Sequence, residues 1–328
     1  MARLLKVCIL LFTLLVTSFT VNATQWHSID KHLTLLEPNK QAQYLLPNQV
    51  LIQGNKCAAL IESHGDFVAL ELLIAKMRTK LPVPVCYLIA TNLDVGQLSG
   101  MRLLQSAFPD AQVIIPGNGI FSTQTLLRAI DNETKYKLEG FTQSLELSKK
   151  RIAQANSEQQ MGWHSKLQQA EQRLSRWSTL SPIAVKPLSL NTELDLGDHI
   201  LHLELMNGYK GAALRVYNPQ HKAVFGGHNL DLLPYIAQRE TESWQLSLAQ
   251  LLQRKNINWI LPGFGKPYKF EQLSLPNRFF TLVNQPSSPA ILNDLIKDYE
   301  LNKVSSERFS AYYQQALKQK KPNKVLNK

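Results

Sequence analysis

Much of the chemistry easily read from a sequence is missing here. Only three cysteines, Cys8, Cys57 and Cys86, occur in 328 residues, and none lies in a nucleophile signature. No G-x-S-x-G elbow is present, which removes the usual serine-hydrolase reading. Gly263-Phe264-Gly265-Lys266 lacks the G-x-x-x-x-G-K-[ST] spacing of a phosphate loop. Acidic residues are outnumbered, 25 against 36 lysines and arginines, yet no segment resembles a nucleic-acid module. Beyond residue 21 no apolar run is long enough to span a bilayer.

One apolar run does stand out. Arg3 and Lys6 precede a nearly continuous apolar stretch, Val7 to Val21, which ends at Val21-Asn22-Ala23. This is the pattern of a secretory signal peptide, with cleavage expected after Ala23. The formal charge of +11 falls to +9 once Arg3 and Lys6 are removed. Part of that excess sits at Lys318, Lys320, Lys321, Lys324 and Lys328, a pattern that reads as a solvated end. Export leaves Cys57 and Cys86. Both lie in apolar runs, where a disulfide and a pair of buried free thiols are both open readings.

Short apolar runs separated by turn residues dominate the first half: Val50-Leu51-Ile52, Cys57 to Glu62, Phe67 to Leu70, Val83 to Ala90 and Ala111 to Ile115. A helix is expected over Glu71–Lys80 and a short one over Gly100–Ala107. Tyr136 to Trp177 lacks proline, is rich in Gln, Glu, Lys and Ala, and reads as a long helix or helical hairpin with a break near Gly162. A second strand set follows from Leu194 to Phe225, then a helix over Ser243–Arg254 and a strand over Ile257–Leu261. Two β-rich halves, each closing with helix then strand, imply an α+β, αββα sandwich of two mixed β-sheets flanked by helices, with a helical insertion at about 139–178. The expected division is a leader over 1–23, one domain over 24–285, and a C-terminal helical, basic tail over 286–328.

Four segments in order resemble the metallo-β-lactamase fold superfamily over about residues 50–270. Lys56 to Leu70 resembles its opening hairpin. CYLIATNLDVGQLSGMRLLQSAFPDAQVII resembles the strand and metal loop, in which active members carry T-H-x-H-x-D-H. DLGDHILHLELMNGYKGAALRVYNPQHKAVFGGHN resembles the second-half hairpin, and WILPGFGKP the last metal strand. The resemblance implies a zinc site, and carrying its ligand positions over residue by residue gives Asn92, Asp94, Gly96, Gln97, Tyr209, His228 and Phe264. Every one departs from the family's ligand. Glycine and phenylalanine offer no donor and neutral amides are poor zinc ligands, so Asp94 and His228 remain as the two weak metal candidates.

The resemblance therefore implies a diverged member that has lost its zinc, with no cofactor expected. The leading expectation is a pseudoenzyme: an exported, periplasmic or secreted protein that binds or scaffolds an unknown small molecule or envelope protein through the old cleft. The mature chain is expected to have no transmembrane segment and no nucleic-acid partner. The alternative is a diverged hydrolase with Asp94 and His228 as acid–base partners, or with a non-zinc metal. A third reading places a partner on the helical insertion and the basic C-terminus. Against these stand plainer roles. Asp94 suits a helix cap, His64 a structural turn beside Gly65 and Asp66, and His199 and His202 read as surface or hydrogen-bonded histidines rather than ligands. Sequencing the N-terminus of the protein from an envelope fraction is expected to begin at Thr24; a retained Met1 refutes the cleaved leader.

Overall fold

Alternating burial along the strands builds three apolar layers. In this computed structural model, which describes residues 24–43, 45–117, 122–236, 241–285, 289–299, 301 and 303–320, two sheets lie face to face. The seven-stranded sheet runs in the order β1 (Thr24–Ser28), β2 (Leu33–Pro38), β3 (Gln49–Gln53), β4 (Ala58–Ile61), β5 (Val85–Ile89), β6 (Gln112–Pro116), β7 (Val185–Leu188). The six-stranded sheet runs β13 (Tyr268–Lys269), β12 (Trp259–Pro262), β11 (Ala223–Gly227), β10 (Gly211–Asn218), β9 (Ile200–Gly208), β8 (Thr192–Asp195). The leader and Lys321, Lys324 and Lys328 lie outside the described residues.

Side chains of successive strand residues point to opposite faces, and the core follows that rule. Val50, Ile52, Ile61, Ile89 and Ile114 enter the layer between the sheets, where they meet Leu201, Leu203, Leu214, Val216, Phe225 and Leu261. Leu51, Leu60, Leu88, Val113 and Ile115 face the other way, under the helices. Ala213, Val224 and Ile260 form the opposite outer layer, with Trp244, Phe279 and Phe280. Strands buried on both faces read as continuous apolar runs, and this explains why β4, β5 and β6 pair in parallel beneath covering helices.

Those helices are α1 (Phe67–Lys80), α2 (Val95–Ala107) and a hairpin of α3 (Thr123–Ala153) and α4 (Ser157–Ser178). On the second sheet lie α5 (Glu242–Leu252), α6 (Ser274–Asn284), α7 (Pro289–Asp298) and α8 (Lys303–Lys320). No helix of the described residues is long and apolar enough to cross a membrane.

Three expectations need correction. Phe67–Leu70 is the first turn of α1, not a strand: Asp66 accepts from the Ala69 N–H at 3.0 Å as N-cap, and buried Phe67, Leu70, Ile74 and Met77 recur at helical spacing. The short helix expected from Gly100 begins at Val95, because Asp94 caps it. The helical hairpin turns at Gln154–Asn156, while Gly162 sits inside α4 with open space where a Cβ would stand. The C-terminal segment expected to be helical forms α8 and is seated in the core. Phe309, Tyr313 and Ala316 of α8 are buried against Phe279 and Leu295.

Cys57, just before β4, and Cys86, in β5, form a disulfide with Cα atoms 5.8 Å apart. It closes a loop with a sequence separation of 29 across two neighbouring parallel strands. Replacing both cysteines with alanine is expected to lower the unfolding free energy by about 2–4 kcal/mol. Denaturant titrations of the two proteins check this; superimposable curves show that the bond contributes nothing.

Candidate functional site

Because both faces of each sheet are buried, polar side chains collect where the strands end. The loops after β4 and β5, the β9–β10 turn and the loops after β11 and β12 open onto one cavity of about 550 Å³. Asp94, Gln97, Tyr209, His228 and Phe264 line it. Asn92 lies just beneath, buried, with its amide donating to Gln97 Oε1 at 2.9 Å. The six residues singled out from the sequence are thus brought to one place, and Gly96 lies in the same wall.

The donors in this wall are already engaged. Asp94 Oδ1 accepts from the Gly96 and Gln97 N–H groups at 2.9 and 3.3 Å, capping α2, while Oδ2 meets Lys210 Nζ at 2.5 Å. Burial opposes its charge, but the Lys210 ammonium and the two N–H groups outweigh burial and hold the carboxyl below its usual range. His228 Nδ1 lies 3.0 Å from Asp231 Oδ2, and Asp231 Oδ1 accepts from the Phe264 N–H at 2.8 Å. Burial by itself would lower the His228 pKa; the hydrogen-bonded Asp231 carboxylate outweighs it, with help from Glu62 and Asp94, and the net shift is upward. Rings flank the imidazole on two sides, Phe264 at 4.3 Å and Tyr209 at 5.3 Å between centroids. Burial and the Asp94 charge push the Tyr209 phenol upward, so it remains a neutral hydroxyl.

Several residues of this region carry no local sequence signal of their role. Glu62 ends β4 with φ at 72°, and its buried Oε1 accepts from the Thr91 N–H at 2.7 Å. Burial raises its pKa, against the opposing Thr91 contacts. Lys137 belongs to the helical hairpin yet reaches the cavity, donating to the carbonyls of Gly96 at 3.1 Å and Gly65 at 3.4 Å. A Cβ on Gly65 would stand 2.7 Å from the Gly96 carbonyl oxygen, so the close approach of the two loops needs glycine. Tyr312 of α8 joins Tyr235 at the cavity wall, ring to ring at 5.0 Å. Asp231 was findable, three residues beyond His228; Lys137 and Tyr312 were not, since only the tertiary fold brings their helices here.

The donor set does not fit a catalytic zinc. Such a site takes three protein ligands plus an open position. Two of the positions, Gly96 and Phe264, bear no donor; the Asn92 and Gln97 amides bond each other; and both Asp94 oxygens are spoken for. Among these aligned positions, one nitrogen of His228 is what remains.

No protein-family model matches the chain, and no curated protein sequence does. Solved structures do. A metallo-β-lactamase from Pontibacter korlensis is 18% identical over 80% of this chain and 100% of its own, with a TM-score of 0.53. The metallo-β-lactamase FIM-1 from Pseudomonas aeruginosa, in its mono-zinc form, is 12% identical over 78% of this chain and 93% of its own, with a TM-score of 0.51. At these identities the likeness establishes the fold, and the chain has the metallo-β-lactamase fold.

His64, expected as a turn residue, lies in the cavity wall and is buried. Burial lowers its pKa to about 4, Asp66 opposing and Lys137 adding to the shift. A folded value below the unfolded one of about 6.5 means the fold prefers neutral imidazole. That contribution is complete above about pH 6.5 and is lost as pH falls toward 4, by up to about 3 kcal/mol. Comparing pH-dependent unfolding of the parent protein and His64→Gln isolates this group. The parent is expected to lose stability more steeply between pH 7 and 4, whereas parallel profiles would show that His64 is not held neutral.

Proposed function

We propose that this protein is an exported binding or scaffolding protein of the cell envelope that uses a metallo-β-lactamase-type cleft without zinc. One observation carries the reading. The side chains at the family's ligand positions satisfy one another, Asp94 with Lys210 and the α2 N-terminus, His228 with Asp231, and Asn92 with Gln97. Donors aimed at a metal would have their partners behind them and their lone pairs free; here the lone pairs are used inside the wall. What the cleft offers instead is a mixed surface with four aromatic rings and a protonatable imidazole, suited to holding a small polar molecule or a partner's side chain.

A second reading, a diverged hydrolase, draws on the His228–Asp231 pair. A buried carboxylate on one imidazole nitrogen orients the other, as in a base held by its orienting group. That half of a catalytic set has no nucleophile beside it among the described contacts, so it ranks below the binding reading.

Elemental analysis of protein purified without added zinc separates the readings. Less than about a tenth of a zinc per chain in the cleft is expected, with no chelator-sensitive hydrolysis and no effect of Asp94→Ala or His228→Ala on metal content. Asp94→Ala is also expected to cost about 1 kcal/mol as the α2 cap is lost. A stoichiometric zinc lost in both variants, together with hydrolytic activity, sinks the pseudoenzyme reading. Metal-independent hydrolysis abolished by His228→Ala selects the second.

A further inference from the structure

At the opposite end of the sandwich from the cleft, three histidines and two aspartates gather in the turns that precede β2, β9 and β11. His199 comes immediately before β9 and Tyr209 immediately after it. A nine-residue strand separates the two regions by about 27 Å. We propose that His32, Asp198 and His199 form a binding site for a borderline divalent transition metal of the zinc class, independent of the cleft.

Each of the three offers one ligand atom, and these atoms lie within 4.8 Å of one another. Ligands at 2.0–2.2 Å in a tetrahedral zinc site stand about 3.4 Å apart. Closing the group therefore asks for a shift of about 1.5 Å at most, within reach of side-chain rotation at the part-exposed His32 and Asp198.

His32 Nδ1 lies 2.8 Å from the Gln53 carbonyl oxygen. A carbonyl only accepts, so Nδ1 holds the proton and Nε2 keeps its lone pair, directed toward Asp198 Oδ2 at 3.9 Å. This is the arrangement by which outer groups orient a metal-binding imidazole. His199 is buried, and its Nδ1 makes no well-aligned hydrogen bond although Asp198 Oδ1 is 3.2 Å away. A buried imidazole nitrogen without a proper partner is costly unless something else engages it. Asp198 itself is aimed by Gly197, whose φ of 112° disfavours any other residue, and by the Asn55 N–H at 2.8 Å.

His221 completes the cluster without ligating. Its Nε2 pairs with Asp30 Oδ2 and its Nδ1 with Asn218 Oδ1, both at 2.7 Å. Its ring stacks on His199 at 5.3 Å, and the His32 ring covers His199 at 4.3 Å. Asp30 also accepts from the His32 N–H at 2.7 Å, so one carboxylate braces both outer histidines. Two imidazoles and a carboxylate are a donor set for zinc, nickel or copper rather than calcium or magnesium. Asp198, 39% exposed in its side chain, leaves the remaining coordination positions open to water.

The test is calorimetric titration of tag-free, chelator-treated mature protein with zinc, with thermal unfolding run alongside. One zinc per chain and a zinc-dependent rise in Tm are expected. His32→Ala and His199→Gln are each expected to weaken binding at least about tenfold to a hundredfold and to abolish the Tm rise. The combined Asp94→Ala, His228→Ala variant is expected to bind zinc as the parent does. His32 is partly exposed, so its variant decides the matter if His199→Gln fails to fold. Absence of zinc binding, or binding that survives His32→Ala, overturns the site. Loss of binding only in the Asp94, His228 variant overturns it too, and assigns the ion to the cleft, against the proposed function rather than for it.

Discussion

The central strands are buried on both faces, and the rest of the molecule is arranged around that constraint. Layers of Val, Ile and Leu on either side leave the central strands no place for an unpaired polar side chain. The exception among the described residues shows the rule. Glu204 on β9 and Arg215 on β10 are buried, but they meet at 2.7 Å and Arg254 adds a second contact at 2.7 Å. Such a pair tolerates burial because each charge finds its partner. Glu62, His64, His199, His228 and Asp231 are buried too, and all lie in the loops and turns beyond the strand ends. The carboxyl ends of β4, β5, β11 and β12 make the cleft, and the turns at the other end hold the histidine cluster.

The same constraint fixes the backbone of the cleft. The cleft loops are anchored from behind by groups unrelated to metal binding. Glu62 receives the Thr91 N–H, the Asn229 amide donates to the Thr91 and Gly226 carbonyls, and Asn48 donates to the Pro262 and Gly265 carbonyls. The side chains at the cavity pair with one another, Asn92 with Gln97, Asp94 with Lys210 and His228 with Asp231, as buried polar groups require.

Much of the fold was legible in the sequence because apolar periodicity reports burial directly. The strand runs from Val50 to Ile115 are continuous apolar stretches, the pattern of strands covered on both faces, while His199 to Leu205 alternates, and four ordered segments resemble one fold. The misreadings have local causes. Phe67–Leu70 looked like a strand because four apolar residues in a row do not reveal their period, and the capping carboxylate of Asp66 settles it only when the helix beyond is seen. Gly162 looked like a break because glycine is a weak helix former, yet on an exposed face of a paired helix its cost is about 1 kcal/mol, too small to end the helix. The cleft was legible at the loop residues, whose order resembles that of the fold's metal loops. Lys137, Tyr312 and the His32–His199 approach depend on contacts between distant segments, for which a single sequence carries no local signal.

The same contacts change how the helical hairpin and the C-terminal helix should be regarded. Read from the sequence they were a surface for partners, separate from the cleft. In the structure Lys137 of α3 closes one wall of the cavity by bonding two loop carbonyls, and Tyr312 of α8 closes another. Both helices are also seated in core: Ile130 and Trp177 pack under the first sheet, Phe309 and Tyr313 against the second. Removing either would therefore open the cleft and expose apolar surface at once. A partner that contacts these helices would touch the cleft rim as well, because the insertion and the C-terminal helix supply walls of the same cavity whose floor is the loop after β5.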